Sequence, residues 1–229
     1  MNLAAVPSPC FIIDENRFRK NLELIRYVQE KSGAEIILAF KGFALWKTFP
    51  IVKVYIQGAT ASSLFEARLC FEEMKTYAHV FAPVYKEHQF DELMGYSSHI
   101  VFNSLSQFQK YFPAVQAFHR PISCGLRVNP EHSDVTTDLY NPSSPKSRLG
   151  VLHEFLPEHL PTGIEGLHFH VHCESTSYAL EKTLDSFEKL FGKYFTQIKW
   201  VNFGGGHLMT REGYDVEHLI GLIQKFRKK

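Results

Sequence analysis

EIILAFKGFALW, residues 35–46, holds the decision about the fold. Strand-forming apolar residues run from Ile36 to Phe40, stop at Lys41, and apolar residues resume at Phe43. A short, nearly continuous apolar run of this kind predicts a strand of a sheet covered on its faces. Lysine then stands at the C-terminal end of that strand. Taken alone, it reads first as a side chain snorkelling out of an apolar surface. An amine held among apolar groups has a second reading. Its charged form is disfavoured, its pKa falls, and the neutral amine is a nucleophile toward carbonyl carbon.

Working outward, similar runs recur at Ile56–Thr60, His79–Pro83, His99–Phe102, Ile122–Val128, Ile164–Val171 and Ile198–Phe203. Helix-like segments lie between them. Residues 15–31 carry Phe18, Leu22, Ile25 and Val28 at helical spacing behind a candidate N-cap, Asp14, and Leu64–Met74 and Val216–Phe226 are similar. Strands separated by roughly 20 to 35 residues suit repeated βα units and a parallel sheet. The expectation is an α/β chain, a (β/α)8 barrel incomplete at about seven strands. Residues 129–147, rich in Pro, Ser and Asp, predict a long loop after the fifth strand.

The chain has 229 residues, of which 45% are hydrophobic, enough for one large core. A net charge of +1 gives no electrostatic case for nucleic acid. The basic end, Lys225 to Lys229, reads as a frayed solvated tail. The N-terminal stretch MNLAAVPSPCF lacks the pattern of a signal peptide, and no apolar run is long enough to span a bilayer. Cys10, Cys70, Cys124 and Cys173 form no C-x-x-C pair and read as reduced thiols of a cytoplasmic protein.

Four further segments carry chemistry at strand ends. WVNFGGGH (200–207) sets Gly204, Gly205 and Gly206 where backbone N–H groups can converge on a phosphate; an ordinary glycine turn is the alternative. GLHFHVHCES (166–175) alternates His168, His170 and His172 on one face. A metal site, one histidine stacked on a planar cofactor, and packed core histidines all remain open for it. CGLRVNP (124–130) places Arg127 where it serves as a fixed cation or a structural ion pair, and Arg148 follows the long loop. Ser62 and Ser63 read as caps of the next helix, with Glu66 completing a capping box. Amine, planar ring partner, cation and glycine nest at one mouth together describe a site for a phosphorylated aromatic aldehyde, pyridoxal 5'-phosphate. No metal is expected.

The motifs AFKGFALW, GATASSLFEA, LRVNP, SRLGV, GLHFHVHCES and NFGGGH, in this order, resemble the alanine-racemase-like, fold-type III pyridoxal-phosphate decarboxylases. Among these, the pairing of TASSLFEA with HFHVHCE resembles the carboxynorspermidine (carboxyspermidine) decarboxylase branch. The resemblance implies that Lys41 is the cofactor-bonding lysine and His170 the ring-stacking residue. Gly204, Gly205 and Gly206 are then the phosphate loop, Arg127 lies near the cofactor oxygen, and Cys173 stands where relatives place a phosphate-side serine. His207 and Arg148 are implied for the substrate. The implied activity is decarboxylation of a carboxylated polyamine to norspermidine or spermidine, by a homodimer. The family also has an E-P-G strand and a C-terminal β-domain, and neither follows Gly206 here. Residues 1–229 are thus expected to be the barrel portion alone, from a truncated gene, a split gene or a fragment. A non-catalytic remnant that binds cofactor or a partner, and a related enzyme such as diaminopimelate decarboxylase, are the alternatives.

Overall fold

The computed structural model describes residues 6–229; residues 1–5, part of the stretch read for a leader, lie outside the described residues. Helix α1 (Glu15–Ser32) begins at Asp14, whose carboxylate accepts from Arg17 N at 3.1 Å, and ends at Gly33 with φ 72°. Strands β1 (Leu38–Ala39), β2 (Ala59–Ala61), β3 (Ala78–Phe81), β4 (Ser97–Phe102), β5 (Ser123–Arg127), β6 (Ile164–His168) and β7 (Trp200–Asn202) follow. Each pairs in parallel with the next, in the order β1-β2-β3-β4-β5-β6-β7, so β1 and β7 are the outer strands. The intervening helices are α2 (Phe49–Val52), α3 (Leu64–Leu69), α4 (Glu87–Gly95), α5 (Leu105–Ala117) and α6 (Ser177–Phe191), and α7 (Val216–Phe226) follows β7. The connection after β5 is a long loop with short 3-10 turns, as its composition predicts.

The strands are shorter than their apolar runs. At β1 the cause is visible. Ile36 N donates to the Gln29 side chain at 2.9 Å, which ties the start of the run to α1. Leu38 N and Phe40 N keep the ladder, bonding Gly58 O and Thr60 O. Gly42 N then turns back onto Ala39 O. Phe40 is 3% exposed and stacks on Phe49 at 5.1 Å, so Lys41 emerges on the other side.

The sheet is strongly curled. His99 on β4 meets Trp200 on β7 edge-on, with ring centroids 5.5 Å apart. In a flat sheet, strands three places apart lie about 14 Å from each other. The contact is made across a concave interior. Two glycines make room for the indole: a Cβ on Gly125 or Gly166 would lie 2.2 and 2.1 Å from the Trp200 ring. Trp200 Nε1 donates to Ser123 Oγ, Ser123 donates to Glu165, and Lys199 pairs with Glu165. His79 stacks on His99 at 3.8 Å. An aromatic and polar plug thus fills the interior at the N-terminal ends of the strands.

The opposite face packs against helices, with Ala78, Val80, Ile100, Leu126 and Leu167 all at 1% exposure or less. Helices α1 and α7 meet, Tyr27 Oη donating to Glu217 at 2.8 Å and Gln224 to Lys31 O at 2.7 Å. The C-terminal basic residues are not a frayed tail. Arg227 donates to Ser32 O at 3.1 Å and Lys229 pairs with Glu188, because α7 carries both into reach of carbonyl and carboxylate partners.

Gly166→Val tests the plug. Its side chain would enter the space of the Trp200 ring, and overpacking of this kind destabilises by roughly 1–3 kcal/mol. A fall of that size in urea-unfolding free energy is expected. Full stability would show that the indole does not occupy the interior.

Candidate active site

All seven strands point their C-terminal ends the same way, and the groups predicted for chemistry gather there. Lys41 Nζ lies 2.9 Å from His170 Nε2, across 129 residues of sequence. Lys41 is exposed, as a side chain snorkelling from a strand end would be, because the chain turns immediately after β1. Its pKa is nevertheless lowered, first by desolvation and then by the Arg127 guanidinium, with Glu66 opposing. The Glu66 carboxylate is engaged elsewhere. It accepts from Ser62 N at 2.6 Å and Ser62 Oγ at 2.8 Å, while Ser63 Oγ accepts from Glu66 N. Ser62 and Ser63 therefore serve the cap of α3, the back-bond reaching Ser62 rather than the cap residue itself.

Arg127 is 3% exposed. It donates to His170 O at 2.9 Å and lies over the Phe81 ring at 4.8 Å. Burial lowers its pKa to about 10, and its Nε has no partner. Among the described residues no carboxylate pairs with it, so the ion-pair reading of Arg127 is not what the structure contains. It is a fixed cation inside the mouth.

His170 is half-buried with a pKa pushed down to about 3, by desolvation first and then by Lys41 and Arg127. His168, behind it at 6.4 Å, is held neutral in the same way. His172 and His207 face each other at 5.1 Å, and burial lowers both to about 4. The alternating histidines are thus neutral. Among the described residues no group of three or more His, Cys, Asp or Glu side chains is placed to hold a metal ion.

The glycine loop differs from a uniform nest. Gly204 has φ 70° and Gly206 φ 96°, which favour glycine. A Cβ on Gly206 would lie 2.2 Å from His172 O, and one on Gly204 2.5 Å from Phe169 O. Two of the three amides are already used. Gly204 N donates to Asn202 Oδ1 at 2.7 Å and Gly205 N to His170 Nδ1 at 3.0 Å. Among the described residues the N–H groups of Gly206 and His207 have no acceptor, so these are the donors left for an anion. Cys173 is exposed, and its backbone N borders Gly206. Arg148 is exposed, and among the described residues its side chain makes no hydrogen bond or ion pair, while its carbonyl accepts from Asn103.

Asn202 and Phe81 were not singled out from sequence. An Asn two residues before a glycine pair is a recognisable turn signal. Phe81 carries no local signal, since its role depends on Arg127 from another strand. The arrangement offers an amine, a flat imidazole beside it, a buried cation and two free amides on a tight loop. These residues fit a planar carbonyl compound bearing a phosphate.

The buried neutral imidazoles make stability depend on pH. His79, His168 and His170 titrate near 3 and His172 and His207 near 4, against 6.5 for an unperturbed side chain. Below 6.5 the unfolded chain binds protons that the folded chain does not, so stability falls as pH drops from 6.5 toward 3. Urea midpoints are expected to be level above pH 7 and to decline steadily between pH 6.5 and 4. A midpoint unchanged to pH 4 would mean that these rings are not held neutral.

No family model matches the chain. Over 227 residues it is 46% identical to the carboxyaminopropylagmatine decarboxylase of Synechocystis sp., covering 99% of this chain and 58% of that protein. It is 45% identical over 224 residues to the carboxynorspermidine/carboxyspermidine decarboxylase of Campylobacter jejuni, covering 98% and 58%. The crystal structure of carboxynorspermidine decarboxylase complexed with norspermidine, also from Campylobacter jejuni, superposes with a TM-score of 0.89 at 43% identity, over 97% of this chain and 57% of that one. Helicobacter pylori diaminopimelate decarboxylase, at 12% identity and a TM-score of 0.76, covering 97% of this chain and 62% of that one, shares the fold. The chain spans about 58% of the length of the curated relatives it matches. In sequence and in fold, nearly the whole chain corresponds to a portion of the carboxynorspermidine-type decarboxylases of the fold-type III barrel class.

Proposed function

We propose that residues 1–229 form a barrel unit that binds pyridoxal 5'-phosphate at Lys41 and serves the decarboxylation of a carboxylated polyamine. The observation that carries this reading is the Lys41–His170 contact at 2.9 Å beside a glycine loop with two free amides. Bound there, the cofactor supplies an aldehyde and an electron-accepting ring that stabilises the charge left when carbon dioxide departs. Lys41 supplies the amine that bonds it. The His170 imidazole would lie against the cofactor ring, and the fixed charge of Arg127 would be available to its oxygen. Gly206 and His207 present N–H groups to the phosphate, with Gly204, Gly205 and Cys173 shaping that side.

The substrate class follows from chemistry and from the relatives together. The relatives' names share a carboxylated polyamine-like substrate, and one of them is agmatine-derived. Asp134 of the long loop sits close enough to His172 to act on it electrostatically, a carboxylate that suits a cationic amine chain better than the second carboxylate of diaminopimelate. His207 lines that side of the mouth, and Arg148 is a more distant candidate for the substrate carboxylate. The setting we propose is cytoplasmic, with two copies assembling; no described helix is long and apolar enough to cross a membrane.

Borohydride reduction after incubation with pyridoxal phosphate, followed by peptide mass analysis, tests the cofactor. The expected result is one reduced adduct, on Lys41, lost in Lys41→Ala. An adduct spread over surface lysines would overturn the reading. Gly206→Ala places a side chain at φ 96° against His172 O and should weaken cofactor binding about tenfold or more, read by absorbance titration. Carbon dioxide release from carboxynorspermidine, carboxyspermidine and carboxyaminopropylagmatine separates turnover from binding alone.

A further inference from the structure

The two hydrogen bonds on the His170 ring fix more than its orientation. Gly205 N donates to Nδ1 at 3.0 Å, and Lys41 Nζ lies 2.9 Å from Nε2. A backbone N–H can only donate, so Nδ1 is the accepting nitrogen and carries no proton. A neutral imidazole in that state has its proton on Nε2. With a proton on Nε2, the contact to Lys41 closes only if Nζ offers a lone pair. An ammonium has three donors and no acceptor and would set two N–H groups against each other.

We infer that Gly205, acting through the tautomer of His170, holds Lys41 as a free-base amine, so that the glycine loop also arms the lysine. Gly205 is a positioning residue in this relation, since it reaches Lys41 only through the ring. The same geometry explains why a loop of three glycines offers an anion only its last amides. Gly205 N–H is spent on the histidine.

The surroundings agree with this assignment. Facing Lys41 are Arg127 from β5, Glu66 from α3 and His170 from the stretch after β6. Facing His170 are Lys41, Arg127, His172 and His207, with the His168 ring behind it. Glu66 is the sole carboxylate acting on Lys41 in this set, and its Oε2 is tied to Ser62. Nothing else acting on the pair favours an added proton. Both groups are displaced toward their neutral forms, His170 by desolvation and its cationic neighbours and Lys41 by desolvation and Arg127.

The inference rests on the proposed function only for its purpose, because its measurement needs no cofactor. The full chain, freed of aldehydes with hydroxylamine and labelled with 15N-histidine, is examined by long-range proton–nitrogen correlation, the His170 signal being assigned by its loss in His170→Phe. At pH 7 the expected pattern is a protonated Nε2 and an unprotonated Nδ1. Competitive acetylation of Lys41 against Lys20 across pH should show Lys41 reacting as free base at lower pH than Lys20. His170→Phe and Gly205→Pro should each reduce relative Lys41 labelling at pH 7 about fivefold, the effect of one ordinary hydrogen bond. Melting curves show whether each variant is folded. If Gly205→Pro is not, the unaltered chain's tautomer and labelling profile decide. An Nδ1-protonated His170, or a Lys41 profile matching that of Lys20, would overturn the inference. A correct tautomer without any cofactor adduct would leave it standing and remove the proposed function instead.

Discussion

The site depends on every strand running parallel to its neighbours. Parallel pairing puts seven C-terminal strand ends on one side of the sheet, so whatever side chain follows each strand meets the others there. Lys41 follows β1, Arg127 ends β5, His170 lies two residues past β6 and the glycines two residues past β7. Curling then brings distant strands together. The ladder sets the direction of each group, and the curl, filled by Trp200 against Gly125 and Gly166, sets their distance. A flat sheet of the same order would leave Lys41 and His170 far apart.

The plug and the mouth divide the interior by chemistry. At the N-terminal strand ends, polar atoms bond one another through Trp200, Ser123, Glu165 and Lys199. At the C-terminal ends, polar atoms remain unspent. Arg127 Nε, His168 Nδ1, both ring nitrogens of His172 and Nδ1 of His207 are buried without partners. Buried polar groups in a folded chain are normally paired, and where several are not, a function stands behind the exception. The gathering of these unpartnered atoms around Arg127 and the histidines marks the mouth independently of any motif.

The strands, and the place of Lys41, Arg127 and the glycines at strand ends, were legible in sequence because both rest on local periodicity. A run such as Ile164–Val171 announces a strand, and a strand in a βα repeat announces where its end will lie. Helix α7 was legible to the residue, Val216 to Phe226, since its apolar face repeats without interruption. What could not be read depends on partners far off in the chain. Ile36 leaves its strand for Gln29, the basic terminus is anchored by Ser32 and Glu188, and the segment after the long loop is held by Asn103, which accepts from Gly150 N and donates to Arg148 O. Lys41 shows the limit well. Its apolar context signalled the desolvation that is the first cause of its lowered pKa; what could not be read is the second cause, the guanidinium of Arg127 on a distant strand.

That distinction bears on how such a site keeps a lysine reactive. Deep burial neutralises an amine by removing water, and it removes access for a substrate as well. An exposed amine keeps access but tends to recapture its proton. The mouth combines partial desolvation of Nζ with directed groups. Arg127 is buried, so its charge acts through little water, and His170 offers Lys41 a donor instead of an acceptor. The donor is fixed by a backbone amide, which cannot titrate and cannot rotate away. A carboxylate in place of His170 would pull the proton back onto Nζ. A residue other than glycine at position 204 or 206 would move the loop off the ring. The triple glycine and the histidine are therefore one device, joined by the amide of Gly205, and the openness of the site is compatible with a free-base lysine because of it.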